Sequence, residues 1–108
     1  MGSSKIQVIE LVKDFKRKAA AKYGIKKIIL FGSQASGMTR EGSDIDMLIV
    51  SDSFKKKTEF MSKLFEEWHI VQKKNFPVDF LPYRTKEFDS MRKGVTIVRQ
   101  AIEEGIEI

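Results

Sequence analysis

Apolar residues recur at three- and four-residue spacing in three stretches of the chain, and short unbroken apolar runs stand between them. Val8, Leu11, Val12, Phe15 and Ala19 mark the first stretch, so Lys5–Tyr23 is expected to be an amphipathic packing helix that Gly24 terminates. Phe60, Met61, Leu64, Phe65, Trp68 and Val71 trace a second helix from about Thr58 to Lys74, stopped by Asn75 and Pro77. Phe88, Met91, Val95, Val98 and Ile102 carry a third from about Thr85 to Glu104, with Gly94 as a break in it.

Between the helices the pattern changes to that of strands. Ile28-Ile29-Leu30-Phe31 is continuously apolar and ends at Gly32, as a central strand buried on both faces would. A short helical turn over Gln34–Gly37 and a polar loop over Thr39–Ser43 lead to a second strand, Asp44–Val50, whose opening residues are acidic. Val78–Leu81 reads as a third strand. The expected order is α-β-turn-β-α-β-α, an α/β chain of the α+β kind with helices packed on a small mixed sheet. Residues 5–108 are expected to form one domain, and residues 1–4 a disordered terminus or a cloning remnant.

Composition narrows the function classes. No apolar run approaches the roughly 18 residues that span a membrane, and no secretory h-region follows Met1, so the expected setting is the cytoplasm. The absence of cysteine excludes disulfides, zinc-thiolate sites and cysteine nucleophiles. Lys and Arg exceed Asp and Glu, giving a net charge of +5. The basic residues are dispersed, however, as Lys16-Arg17-Lys18, Lys26-Lys27, Lys55-Lys56-Lys57 and Lys73-Lys74, which fits solvated surface better than a nucleic-acid groove. Glu41, Asp52 and Glu59 are assigned to solvated surface. His69, the single histidine, is expected at a surface or boundary position without a catalytic role, and Trp68 and Phe60 in the core.

The chemistry lies in the acidic strand opening. Asp44 and Asp46 stand two apart, so both carboxylates project from the face that carries Leu48 and Val50. Two like charges at the mouth of a buried strand are costly unless a cation compensates them. Hard oxygen ligands without His or Cys companions suit Mg²⁺, which favours carboxylates together with water and substrate phosphate. Gly32-Ser33 is the matching phosphate cradle: the glycine admits close approach to the backbone, Ser33 offers a hydroxyl, and the following turn offers N–H groups. Asp79 stands among apolar residues in Val78-Asp79-Phe80-Leu81. If that strand lies beside Asp44–Val50, the three carboxylates can hold two metal ions for in-line displacement at phosphorus. If it is an edge strand between Pro77 and Pro82, Asp79 is solvated.

Phe31-Gly32-Ser33-Gln34-Ala35-Ser36-Gly37, then Ser43-Asp44-Ile45-Asp46 with Ser43 ten residues after Ser33, then Val78-Asp79-Phe80, together resemble the nucleotidyltransferase superfamily related to DNA polymerase beta. Length and layout resemble its minimal (MNT), antitoxin-type branch, over nearly the whole chain. The resemblance implies Asp44, Asp46 and Asp79 as catalytic, metal-holding residues and Gly32 and Ser33 on the triphosphate. Ser43 supports the loop by a local bond, and Arg40 stands in where many minimal members carry arginines at the positions of Gln34 and Ser36; both are counted with the nucleotide-binding set. The implied reaction transfers AMP from ATP, with two Mg²⁺ ions or Mn²⁺, to an acceptor hydroxyl. A chain this short holds little acceptor-binding surface, so a second polypeptide or a second copy must supply it. The family implies a small helical HEPN-type toxin as that partner. Two rival readings are transfer of AMP to a small molecule such as an aminoglycoside, and a non-catalytic binding module that retains the acidic site.

Overall fold

The computed structural model describes residues 5–31, 44–94, 99 and 103–108. Helix α1, Lys5–Tyr23, has the expected bounds. Val8, Val12, Phe15 and Ala19 are fully buried along one stripe, and Gly24 ends the helix in the left-handed region at φ 61°. A Cβ at Gly24 would lie 2.1 Å from Ser53 Oγ and 2.8 Å from Ser53 Cβ, so close packing as well as conformation requires glycine there.

Strand β1, Ile25–Phe31, starts earlier than the apolar run. The reason is a bulge between Ile25 and Lys27, which lets Lys26 point outward to Asp52 (2.8 Å) while Ile25 joins Ile28 and Leu30 on one face. β1 pairs antiparallel with β2, Ile45–Ser51, and β2 pairs parallel with β3, Val78–Tyr83. Helix α2, Lys57–Glu66, lies in the crossover between β2 and β3. It continues into a π-helical turn, Glu67–Val71, closed by Gln72 N–H donating to Glu67 O at 2.8 Å. Helix α3, Thr85–Met91, follows β3, and β4, Ile106–Glu107, returns to pair antiparallel with β1. The sheet order is β3-β2-β1-β4, a mixed sheet as expected.

Side-chain alternation divides the sheet into a large and a small face. Ile28, Leu30, Ile45, Met47, Ile49, Val78 and Phe80 meet α1, α2 and the π turn on the large face. Trp68 sits at its centre, fully buried, its ring 5.2 Å from that of Phe15 and its Nε1 donating to Phe76 O at 2.9 Å. On the small face Phe88 of α3 covers Ile29, Leu48 and Val50, with Phe31, Tyr83 and Met91 at the margin. Asp52 anchors that helix: its carboxylate accepts from Thr85 N–H (3.0 Å) and Thr85 Oγ1 (2.6 Å). The expected surface residue is thus exposed but structural.

Several expectations are corrected. The helical period expected over Thr85–Glu104 is interrupted at its expected break: α3 ends at Met91, Arg92 and Lys93 form a turn ahead of Gly94, and Arg99, Glu103 and Glu104 are helical again, while Val95, Val98 and Ile102 lie outside the described residues. β4 was not expected. Lys74, assigned to solvated surface, is buried: its Nζ donates to Asp14 Oδ2 (2.7 Å) and Gln72 Oε1 (3.0 Å) beside the Trp68 ring. Glu67 is also buried, accepting from Lys22 Nζ (2.7 Å), Gln72 Nε2 (2.9 Å) and Tyr23 OH (3.3 Å). The π turn accounts for Glu67, since its extra residue brings polar Glu67 and apolar Trp68 inward together. His69 is exposed, stacked on Phe65 and bonded through Nδ1 to Lys74 O. Among the described residues no helix is long and apolar enough to cross a membrane.

Candidate active site

The parallel register of β2 and β3 sets Asp46 opposite Asp79. On its other side Asp46 faces Phe31, the last residue of β1. Register partners on adjacent strands project from the same face, so the two carboxylates emerge side by side. Alternation puts Asp46 with Leu48 and Val50, and Asp79 with Tyr83, on the small face that α3 covers further along. The sequence left open whether the Asp79 strand lies beside β2 or forms a solvated edge. It does both: β3 is the outer strand of the sheet, and Asp79 is exposed while still adjacent to Asp46.

Asp44 precedes the first residue of β2 and is exposed, whereas Asp46 is half-buried. Burial pushes the Asp46 carboxyl above the usual carboxylate range, and the charges of Asp79 and then Asp44 push it further. The aspartates held in ion pairs are others, Asp14, Asp52 and Asp89. Among the described residues, then, the Asp44, Asp46 and Asp79 cluster is negative charge without a cationic side chain to balance it.

That imbalance fits a hard divalent cation. The donors are all carboxylate oxygens, Asp46 and Asp79 as register partners on adjacent strands, and a cation would offset the burial and the repulsion that raise the Asp46 pKa. Among the described residues no three carboxylate or imidazole groups form a ready-made cage. Mg²⁺ does not need one, because it takes one or two carboxylates and completes its shell with water and substrate phosphate.

Gly32, Ser33, Arg40 and Ser43, the expected nucleotide-binding residues, lie outside the described residues, as do Gln34 and Ser36. β1 nevertheless delivers the chain to Phe31, the register partner of Asp46, and Gly32-Ser33 come next in sequence. Phe31 was not singled out from the sequence as a neighbour of the acidic site. Its apolar run announces a strand, but which β2 residue faces it depends on a long-range register that no local pattern encodes.

A family model described as "Nucleotidyltransferase domain" matches residues 8–108. A protein of Methanocaldococcus jannaschii named as a "putative protein adenylyltransferase" is 44% identical over 63 residues, covering 56% of this chain and 63% of that protein. The match therefore spans less than two thirds of that relative. Among solved structures, a "putative nucleotidyltransferase" from Sulfolobus solfataricus superposes with a TM-score of 0.61 at 18% identity, covering 95% of this chain and 80% of the other. A toxin–antitoxin complex with AMP-PNP gives 0.58 at 19% identity, over 91% and 69% of the two chains. A mutant of the toxin–antitoxin pair MntA-HpeT gives 0.53 at 18% identity, over 97% and 72%. At these identities the structural likeness establishes the fold.

Proposed function

Because the chain belongs to the nucleotidyltransferase domain family, we propose that it transfers AMP from ATP to a hydroxyl on a protein partner, and that Asp44, Asp46 and Asp79 are the carboxylates of the reaction. The observation that carries the site is the register pairing of Asp46 with Asp79, which joins two carboxylates 33 residues apart in sequence. Asp44, two residues ahead of Asp46, completes the set. Gly32 and Ser33, which follow Phe31 in sequence, are assigned to the triphosphate together with Arg40 and Ser43.

Asp44, Asp46 and Asp79 would hold Mg²⁺ together with water and substrate phosphate, and the metal would supply charge neutralisation at the phosphates and acidification of the acceptor hydroxyl. The protein's own groups orient and receive. Asp79, exposed at the sheet edge, is accessible to an incoming acceptor, and its carboxylate orients the hydroxyl and takes its proton. The acceptor oxygen bonds to the α-phosphorus, the bond from that phosphorus to the bridging oxygen breaks, and pyrophosphate leaves. Asp46, half-buried against β1 and β3, is the fixed member of the set.

The protein acceptor is assigned from the names of relatives. A relative bears the name of a protein adenylyltransferase, and two chains of like fold were crystallised as toxin–antitoxin complexes. These support an antitoxin role, and the family resemblance adds a small helical HEPN-type toxin as the partner. Incubation with ATP labelled in the α-phosphate, Mg²⁺ and the co-purifying partner tests this reading. Label on the partner is the expected result. Label on an added aminoglycoside instead would move the acceptor to small molecules, and an intact complex without transfer would leave a binding module.

A further inference from the structure

A second polar site lies at the other end of the sheet. Lys22 and Tyr23 at the end of α1, Ser53–Lys56 after β2, and Glu59, Phe60 and Lys63 on α2 enclose a concavity of about 340 Å³. β2 runs from Asp46 to Ser51 between the two sites, five residues and roughly 17 Å at the usual strand rise. The concavity is therefore separate from the carboxylates.

Its charge is the inverse of theirs. Four lysines and one glutamate line it. Lys22 is neutralised from beneath by Glu67 (2.7 Å), but among the described residues Lys55, Lys56 and Lys63 have no ion-pair partner. Lys56, the N-cap residue of α2, and Glu59, Phe60 and Lys63 along one side of that helix form part of the wall.

The walls are held in place. The Arg84 guanidinium donates to Phe54 O (3.3 Å) and Lys55 O (2.7 Å) and stacks 4.5 Å from the Phe54 ring, fixing the segment that carries Lys55 and Lys56. Ser51 Oγ donates to Tyr23 O (2.9 Å) and accepts from Ser53 N–H (3.1 Å), tying that segment to the end of α1. The floor is aromatic, with Phe54 and Phe60 stacked at 4.6 Å. Solvated lysines alone would need neither a bonded frame nor an apolar floor.

We propose that this lysine-lined pocket binds a small ligand through a chain of two or more phosphates, carried on a nucleoside or free as pyrophosphate. The net positive excess matches such a chain, and the volume lies at the small end of ligand sites, about 300 to 1,000 Å³. The proposal does not depend on the carboxylates being catalytic.

Calorimetry on the whole chain in EDTA and low salt, with pyrophosphate and with ADP as probes, tests it. Saturable one-to-one binding of either is expected, weakening as salt rises. Combined Lys55→Ala, Lys56→Ala and Lys63→Ala substitutions are expected to raise Kd at least tenfold, while Asp44→Asn with Asp46→Asn leaves it unchanged. Tighter ADP than pyrophosphate would assign the floor to a base, and equal affinities would assign recognition to the phosphates; both support the site. Amide shifts on titration are expected at Ser53–Lys56 and not at Asp44–Asp46, a readout independent of any variant's folding. No saturable binding of either probe, undiminished binding by the lysine variant, or loss in the aspartate variant would overturn the proposal. So would binding of a single-stranded oligonucleotide at these lysines without binding of either probe.

Discussion

Asp46→Asn should make the protein more stable while removing its activity, because the site's charge cluster opposes folding. Asp46 and Asp79 are register partners on neighbouring strands, which lie about 5 Å apart. At that separation, and with an effective dielectric of about 40 to 80 for groups open to solvent, their repulsion is roughly 0.8 to 1.7 kcal/mol. Screening by salt reduces it, so the net gain is on the order of 1 kcal/mol, or about 4 °C in Tm for a chain of this size. The sign depends on pH in a defined way. The folded-state pKa of Asp46 is raised, so its cost is present above that pKa and relieved as pH falls through it. Urea melts of both proteins at pH 7 and pH 3 should show the gain at pH 7 and its disappearance at pH 3, where aspartate is protonated in both states. Other acid-sensitive pairs are common to the two proteins and cancel in the difference. An Asp46→Asn protein no more stable at pH 7, or one whose gain persists at pH 3, would refute the reasoning.

Three further outcomes follow from the structure. Gly24→Ala must force a Cβ against Ser53 at a positive φ, so a loss of about 1 to 3 kcal/mol is expected in denaturant melts, and a neutral result would count against the close approach. Trp68→Ala empties the centre of the large face and should cost about 3 to 5 kcal/mol by the same assay. Glu67 is held below its ordinary pKa: burial pushes it up, but hydrogen bonds from Lys22 and Gln72 and the Lys22 charge outweigh that. Its contribution is present above the ordinary carboxylate range and is lost as pH falls through the depressed value. Glu67→Gln should therefore be less stable at pH 7, with the difference shrinking below about pH 4; a constant difference across pH would show that the ion pair is not its source.

The parts of the fold legible in sequence are those whose burial is periodic along the chain. α1, most of α2 and the cores of β1, β2 and β3 each bury a repeating apolar set, so local spacing alone locates them. The missed features are two-body or irregular. β4 has only two residues, Ile106 and Glu107, too few for any period. The bulge at Lys26 and the π turn at Glu67–Val71 break the periods on which the reading relies. Lys74 and Glu67 are buried because distant partners, Asp14 and Lys22, meet them there, and no sequence window contains both members of either pair. The acidic site divides in the same way. Asp44 and Asp46 are conspicuous as charges opening an apolar strand, while the adjacency of Asp79 rests on a parallel register that only the folded sheet displays.

Asp44, just ahead of β2, Asp46 on β2 and Asp79 on β3 are proposed to serve nucleotide transfer. The most direct measurement is release of pyrophosphate and transfer of α-phosphate label from ATP, with Mg²⁺ and the partner protein present, by the wild type and by Asp44→Ala with Asp46→Ala. Label is expected on the partner with the wild type and none with the double variant, whose melt is expected to show it folded and at least as stable. Undiminished transfer by that folded variant would contradict it.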